Sequence, residues 1–313
     1  MTPSRASADL CVPTVQPPGL AARIPADVLV ARSRWRRAEY IAGLDPQRDC
    51  EQIGFLLGCC EFAWDTTRSL ELALLRTFGV AKGTPLLVQT GALIRHTQKR
   101  YDDTALLLAE IQENGLDHPR ARAAFKRINW QHHQHRIPND EYLYTLSCFV
   151  FEPIRWNARF GWRRMTENER LAVFYLWCEI GRRMGIRDIP ETYAELEQLN
   201  IAFEQDQFRY ADANHRLAVA NRDMMLGWLL PPGLRWLGAP VIHAMLDSPM
   251  LRAVGLPEAP AWLRRVVHVG MRLRALVLRW LPARRRPRLY TRLRNRSYPN
   301  GYCISQLGAD RGC

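Results

Sequence analysis

Arg100 and Thr104 lie four positions apart in the run Arg100-Tyr101-Asp102-Asp103-Thr104, so on a helix they share one face, one turn apart. His132 follows 28 positions after Thr104, in Asn129-Trp130-Gln131-His132-His133. A histidine on a later helix can face an arginine and a hydroxyl across a pocket. Its imidazole would then bind iron, with the basic and hydroxyl groups serving carboxylates or bound dioxygen. That chemistry suits a flat anionic cofactor such as haem. A plainer account stands beside it: Arg100, Asp102 and Asp103 as helix-start charges on a solvated face, with Thr104 or the aspartates capping. His132, His133 and His135 are close enough in sequence to suggest a metal, but on a regular helix they point to different faces.

The elements that must position these groups read as helices. Apolar residues Leu106, Leu107, Leu108 and Ile111 continue the Arg100 segment to Asn114, and Gly115 is a good stop. Asp117-His118-Pro119 opens the next helix in cap-then-proline order, and this helix carries Ala123, Ala124, Ile128 and His132. Asn139-Asp140 should cap an apolar and aromatic helix to about Trp156. Thr166-x-x-Glu169 and Thr192-x-x-Glu195 are capping-box patterns that open two more. Upstream, Asp45-Pro46 should cap a helix through Cys50–Leu57, and Asp65–Phe78 should form another that ends at Gly79. No segment shows sustained two-residue alternation bounded by turns, and no repeat is visible. The chain reads as all-α, with about ten helices of ordinary length in one globular domain.

Composition narrows the function. A chain of 313 residues, 47% hydrophobic, can bury a sizeable core. The net charge of +13 is concentrated: from Ala261 to Cys313 thirteen arginines face only Asp310, so the first 260 residues are near neutral. The body therefore predicts no nucleic-acid partner. The stretch Ala261–Leu281 interleaves arginines with Val, Leu and Trp. It is either a helix packing its apolar face onto the body or a basic amphipathic helix lying on an anionic membrane surface. Eight cysteines include no Cys-x-x-Cys pair and read as small core residues or free thiols in a reducing compartment. The N-terminus has no apolar run of signal-peptide length, and no 18-residue uncharged apolar stretch occurs. A cytoplasmic protein with peripheral membrane contact is expected. Residues 1–24 are expected to lack fixed structure, 25–282 to form the helical domain and 283–313 a basic tail. Phosphate-binding and dinucleotide-binding glycine loops, the nucleophile elbow and the Glu-x-x-His pair of di-iron bundles are all absent.

Taken in order, several segments resemble the family of latex-clearing (rubber) oxygenases and the oxygenase of mycophenolic-acid biosynthesis. The matching pieces are Asp45-Pro46, Lys99-Arg100-Tyr101-Asp102-Asp103-Thr104 and Arg127-Ile128-Asn129-Trp130-Gln131-His132. Tyr142-Leu143-Tyr144-Thr145-Leu146, Glu152-Pro153-Ile154-Arg155-Trp156 and Gly181-Arg182-Arg183-Met184-Gly185-Ile186 continue the match. Asp188-Ile189-Pro190 and Tyr298-Pro299-Asn300-Gly301-Tyr302 complete it, over roughly residues 40–308. The resemblance implies a globin-reminiscent helical fold holding haem b, with His132 as the single protein ligand to iron. It implies dioxygen as co-substrate, a hydrophobic isoprenoid-type substrate and oxidative cleavage of its carbon–carbon double bond. Arg100 would neutralise a propionate and Thr104 would hydrogen-bond dioxygen. Where the rubber oxygenases have Arg-x-x-Lys-Thr, Asp103 stands in place of the lysine, so the distal catalytic position would comprise Arg100, Asp103 and Thr104. Rubber oxygenases are exported; without an export signal, this chain is not expected to act on a polymer outside the cell. A haem-binding sensor or carrier, a non-haem metal enzyme and a helical membrane-associated module without cofactor remain the alternatives.

Overall fold

The computed structural model describes residues 19–308. Fifteen α-helices follow one another among these residues. They are α1 (Ala26–Leu29), α2 (Arg34–Ala42), α3 (Cys50–Phe55), α4 (Ala63–Thr77), α5 (Thr84–Thr90), α6 (Ala92–Arg95), α7 (Thr97–Asn114) and α8 (Pro119–His133). Then come α9 (Asn139–Phe160), α10 (Glu167–Arg183), α11 (Tyr193–Gln207), α12 (Asp212–Leu226), α13 (Arg235–His243), α14 (Ser248–Ala253) and α15 (Ala261–Trp280). No strand forms among the described residues; one isolated antiparallel bridge joins Val80 and Phe208. The all-α expectation holds. The excess over ten helices comes from short elements such as α1, α5, α6 and α14, too short to leave a periodic signature.

Helix α9 is the centre. It is apolar on nearly every side, with Leu143, Tyr144, Leu146, Val150, Phe151 and Phe160 buried, which is the pattern of a helix enclosed by others. It packs along α4 and also touches α10, α11 and α15. Helices α7 and α8 pack against each other. A buried arginine, Arg76 of α4, ties the layers together. It pairs with Glu152 of α9 (3.6 Å), Glu204 of α11 (2.5 Å) and Asp247 (2.5 Å). Such a buried charge is tolerable only because it is fully paired.

The capping boxes form as read: the Thr166 side chain accepts from the Glu169 N–H, and the Thr192 side chain from the Glu195 N–H, with both glutamates bonding back. His118 caps α8 by accepting from the Arg120 N–H at 3.3 Å. Asn139 does not cap α9; it is the first helical residue, and its side chain instead brackets the Arg187 backbone. Asp45 accepts from the N–H groups of Gln47 and Arg48, closing a turn before α3. Cys50, Cys59, Cys60, Cys148 and Cys178 are buried free thiols, as core residues should be. Cys303 departs from the thiol expectation and is disulfide-bonded.

Both ends of the described residues reach the core. The expectation for residues 1–18 lies outside the described residues, but Leu20, Ala21 and Ile24 of the same stretch are buried. The basic segment after α15 folds back over the body as an irregular strap. Its Leu289, Tyr302, Ile304 and Leu307 join the main core. Its three-residue turn Tyr290–Arg292 packs on α7 and its turn Ile304–Gln306 on α8. Apolar residues spaced too widely for a helix can still dock singly, and these do.

Candidate functional site

The α7 positions Arg100, Thr104, Leu107 and Leu108 repeat at helical spacing and face one cavity of about 930 Å³. The end of α8 brings Ile128, Trp130, Gln131 and His132 to the same space, and the loop after it adds His135. Helix α9 supplies Glu141, Tyr142, Thr145 and Phe149, which lie at i, i+1, i+4 and i+8 on one face. Leu74 and Phe78 of α4 and its following turn, with Leu86, Leu87 and Leu93 of α5 and α6, make the wall apolar. A few polar groups converging in an apolar chamber of this size is the usual form of a small-molecule or cofactor site.

His132 is half-buried in the wall, with its ring 5.3 Å from that of Tyr142. Burial, and then the neighbouring charges of Arg100, His133 and His135, push its pKa down to about 4. The imidazole is therefore neutral at pH 7, the form that donates a lone pair to a metal. His133 is exposed, and its ring bonds the Asn129 carbonyl instead. His135 lines the cavity from an exposed position beyond the helix end. Among the described residues no three His, Cys, Asp or Glu side chains gather to hold a metal ion. An iron at His132 would therefore have to bring most of its ligands with it.

Arg100 is half-buried at the cavity, and burial lowers its pKa from the ordinary arginine value, partly offset by Asp103 and Tyr298. It remains a cation at any working pH. No carboxylate forms an ion pair with its guanidinium among the described residues. Thr104 also faces the cavity, but its hydroxyl donates to the Arg100 carbonyl at 3.0 Å. Its oxygen keeps lone pairs for accepting a hydrogen bond.

Asp103 is elsewhere. It is fully buried on the flank of α7, where it accepts from Lys99 at 3.1 Å and from the Tyr298 hydroxyl of the strap. The structure thus brings Arg100, Thr104 and His132 together at one cavity and leaves Asp103 outside its lining. The physical reason is helical phase: position 103 trails the face shared by 100, 104, 107 and 108, and the strap supplies it with a better partner.

Sequence reasoning missed Glu141, the carboxylate that lines this cavity; burial raises its pKa. Its position in Asn139-Asp140-Glu141 reads as a helix-start charge, although the spacing to Thr145 and Phe149 was a usable signal. A second, smaller cavity of about 90 Å³ was missed as well. It shares Leu74, Thr104, Leu108 and Phe149 with the large one. The strap residues Arg288, Tyr290 and Leu293 and a π-helical turn, Leu56–Glu61, that carries Gly58 and Cys59 also line it. Two buried carboxyls border it, Glu71 and Glu113, each raised to about 7, mainly by burial. Glu71 accepts from the Tyr101 hydroxyl at 2.6 Å, and Glu113 from the Tyr290 N–H at 2.6 Å.

The sequence matches a family model described as ER-bound oxygenase mpaB/B′/rubber oxygenase, catalytic domain, over residues 73–280. All the cavity residues from Leu74 to Ile186 lie inside that span. Among curated proteins, it is similar to the ER-bound oxygenase mpaB of Penicillium roqueforti, 27% identical over 62% of this chain and 71% of that one. It is also similar to the ER-bound oxygenase mpaB′ of Penicillium brevicompactum, 28% identical over 71% of this chain and 56% of that one.

Proposed function

The chain belongs to the catalytic-domain family of ER-bound oxygenases mpaB/B′ and rubber oxygenases, and within it we propose a haem-b-dependent oxygenase that cleaves a carbon–carbon double bond in a hydrophobic, isoprenoid-type substrate. In that reaction one alkene and one dioxygen give two carbonyl products, so no outside reductant is needed. The observation that supports this reading most is a neutral imidazole and an ion-pair-free guanidinium facing one large apolar cavity.

The residues present fit a haem. His132 offers a neutral nitrogen, and neither ring nitrogen is engaged in a hydrogen bond among the described residues. Arg100 offers a positive charge with no carboxylate of its own, which a propionate would satisfy with a charge-assisted bond. The aliphatic wall from α4 to α6 would give an apolar ligand its contact surface. When bound, the haem iron would supply the dioxygen chemistry. The chain itself does the rest. His132 would hold the group through its neutral ring nitrogen. Arg100 would pair with its carboxylates. Leu74, Leu107, Leu108 and Phe149 exclude water and orient an apolar chain. Thr104, with its proton committed to the helix, accepts rather than donates. Asp103, in this reading, acts through the strap contact and not at the substrate.

The test is the absorption spectrum of the purified chain, with a pyridine haemochrome measurement for stoichiometry. One b-type haem per chain, lost in His132→Ala and kept in His135→Ala, is the expected result. Well-folded protein that takes up no haem on reconstitution would overturn the proposal. Retained haem in His132→Ala with loss in His135→Ala would overturn the ligand assignment. Two carbonyl fragments from an isoprenoid alkene under dioxygen would separate an oxygenase from a haem carrier.

A further inference from the structure

Helix α15 sits on the body with its apolar side outward. Its inner side is held by Arg274, which pairs with the buried Asp65 carboxylate at 2.9 and 3.2 Å. Met271 and Leu278 pack against the two core clusters, and the His268 ring lies 5.3 Å from that of Phe160. On the opposite side Trp262, Val266, Val269, Leu273, Leu276 and Trp280 follow at i, i+4, i+7, i+11, i+14 and i+18, one continuous stripe. Each is between 49% and 82% exposed. A surface helix normally turns such a stripe to the core. Beside it α13 exposes Trp236 and Leu237 as well. A contiguous apolar face of this kind marks an interaction site.

Charge identifies the occupant. Arg265, Arg272 and Arg279, seven residues apart, run exposed along one flank of the stripe, and the 20 residues of α15 contain no acid. A second copy of the chain would bring the same cations together, which is unfavourable. An anionic bilayer surface accepts both features: apolar side chains enter the acyl boundary, tryptophans sit at the headgroup level and arginines reach the lipid phosphates. We propose that α15 is a membrane-docking helix that lays its outward stripe into the surface of an anionic bilayer. It does not span the bilayer; among the described residues no helix is long and apolar enough to cross one. The docking is independent of haem and of the oxygenase reading, since none of the stripe residues lines the cavity.

The experiment is vesicle flotation of the full chain with phosphatidylcholine alone or phosphatidylcholine plus phosphatidylserine. Binding is expected to the anionic vesicles and to weaken with salt. Arg265→Gln, Arg272→Gln and Arg279→Gln together should weaken it on the order of 100-fold, because each arginine near such a surface is worth roughly fivefold. Leu273→Glu with Leu276→Glu should abolish it while the circular dichroism and melting temperature stay unchanged, since both side chains face outward. Failure to float with anionic vesicles would overturn the proposal, as would undiminished binding by the double glutamate variant. A wild-type dimer that the same variant dissociates in sedimentation velocity, without vesicle binding, would assign the face to a second copy instead.

Discussion

At the scale of single residues, the chemistry depends on which side chains burial leaves without a partner. Arg100 is the clearest case. Where Arg37, Arg76 and Arg120 are buried against Glu61, Glu204 and Glu110, Arg100 faces a cavity with no carboxylate paired to it. A charge-assisted bond from such a group is worth about 1.5–3 kcal/mol. On the proposed haem reading, Arg100→Met should therefore weaken haem affinity roughly 10- to 100-fold in spectroscopic titration, with the fold intact by circular dichroism. Glu71 gives a pH prediction that needs no cofactor. Its carboxyl titrates near 7 in the fold against 4.5 as its ordinary value, even beside Arg68 at 2.6 Å, because burial outweighs that pair. Between those two pH values the folded chain holds a proton that the unfolded chain has lost. Stability is thus fully present below about pH 4.5 and falls as pH rises through 7, by roughly 3 kcal/mol from this group. Glu71→Gln should flatten the urea-midpoint profile between pH 5 and 7; an unchanged slope would reassign the dependence to Glu113.

At the scale of elements, the strap beyond α15 completes the molecule. Tyr302 donates to the buried Glu110 at 2.5 Å, Arg127 donates to the Leu307 carbonyl at 2.5 Å, and Thr291 and Tyr290 satisfy Glu113. These contacts fix the outer faces of α7 and α8, whose inner faces carry Arg100 and His132. Tyr302→Phe should cost about 1.5–3 kcal/mol in chemical denaturation by removing a hydrogen bond to a buried carboxylate. Deleting residues 289–313 should do far more and leave an aggregation-prone chain, because four core side chains leave with the segment. Such a deletion cannot test membrane docking, whereas the outward substitutions on α15 can. Within α9, Pro153 has no N–H, so the Phe149 carbonyl lacks its usual helical donor at the point where Phe149 borders both cavities.

At the scale of the whole molecule, a cavity of about 930 Å³ inside a helical body is space that a bound ligand's atoms would fill. A haem that binds only the native state should stabilise it by about 2.7 kcal/mol at a hundredfold excess over Kd. Reconstitution should accordingly raise the melting temperature by roughly 5–10 °C at 2–4 °C per kcal/mol. His132→Ala should show no such rise at the same haem concentration. The helical class, helices α7 and α8, the two capping boxes and the helix face shared by Arg100 and Thr104 were legible in the sequence because each is written in local spacing. So was the amphipathic character of α15. Local spacing cannot say which side of an amphipathic helix meets the body; Asp65, 209 positions before Arg274, decides that for α15. Nor could it say that Asp103 turns to the strap, or that leucines and a tyrosine scattered through an arginine-rich tail belong to the core. Those outcomes follow from contacts between residues far apart in the chain. A periodic pattern records only a residue's own helix, and tertiary packing chooses the neighbours.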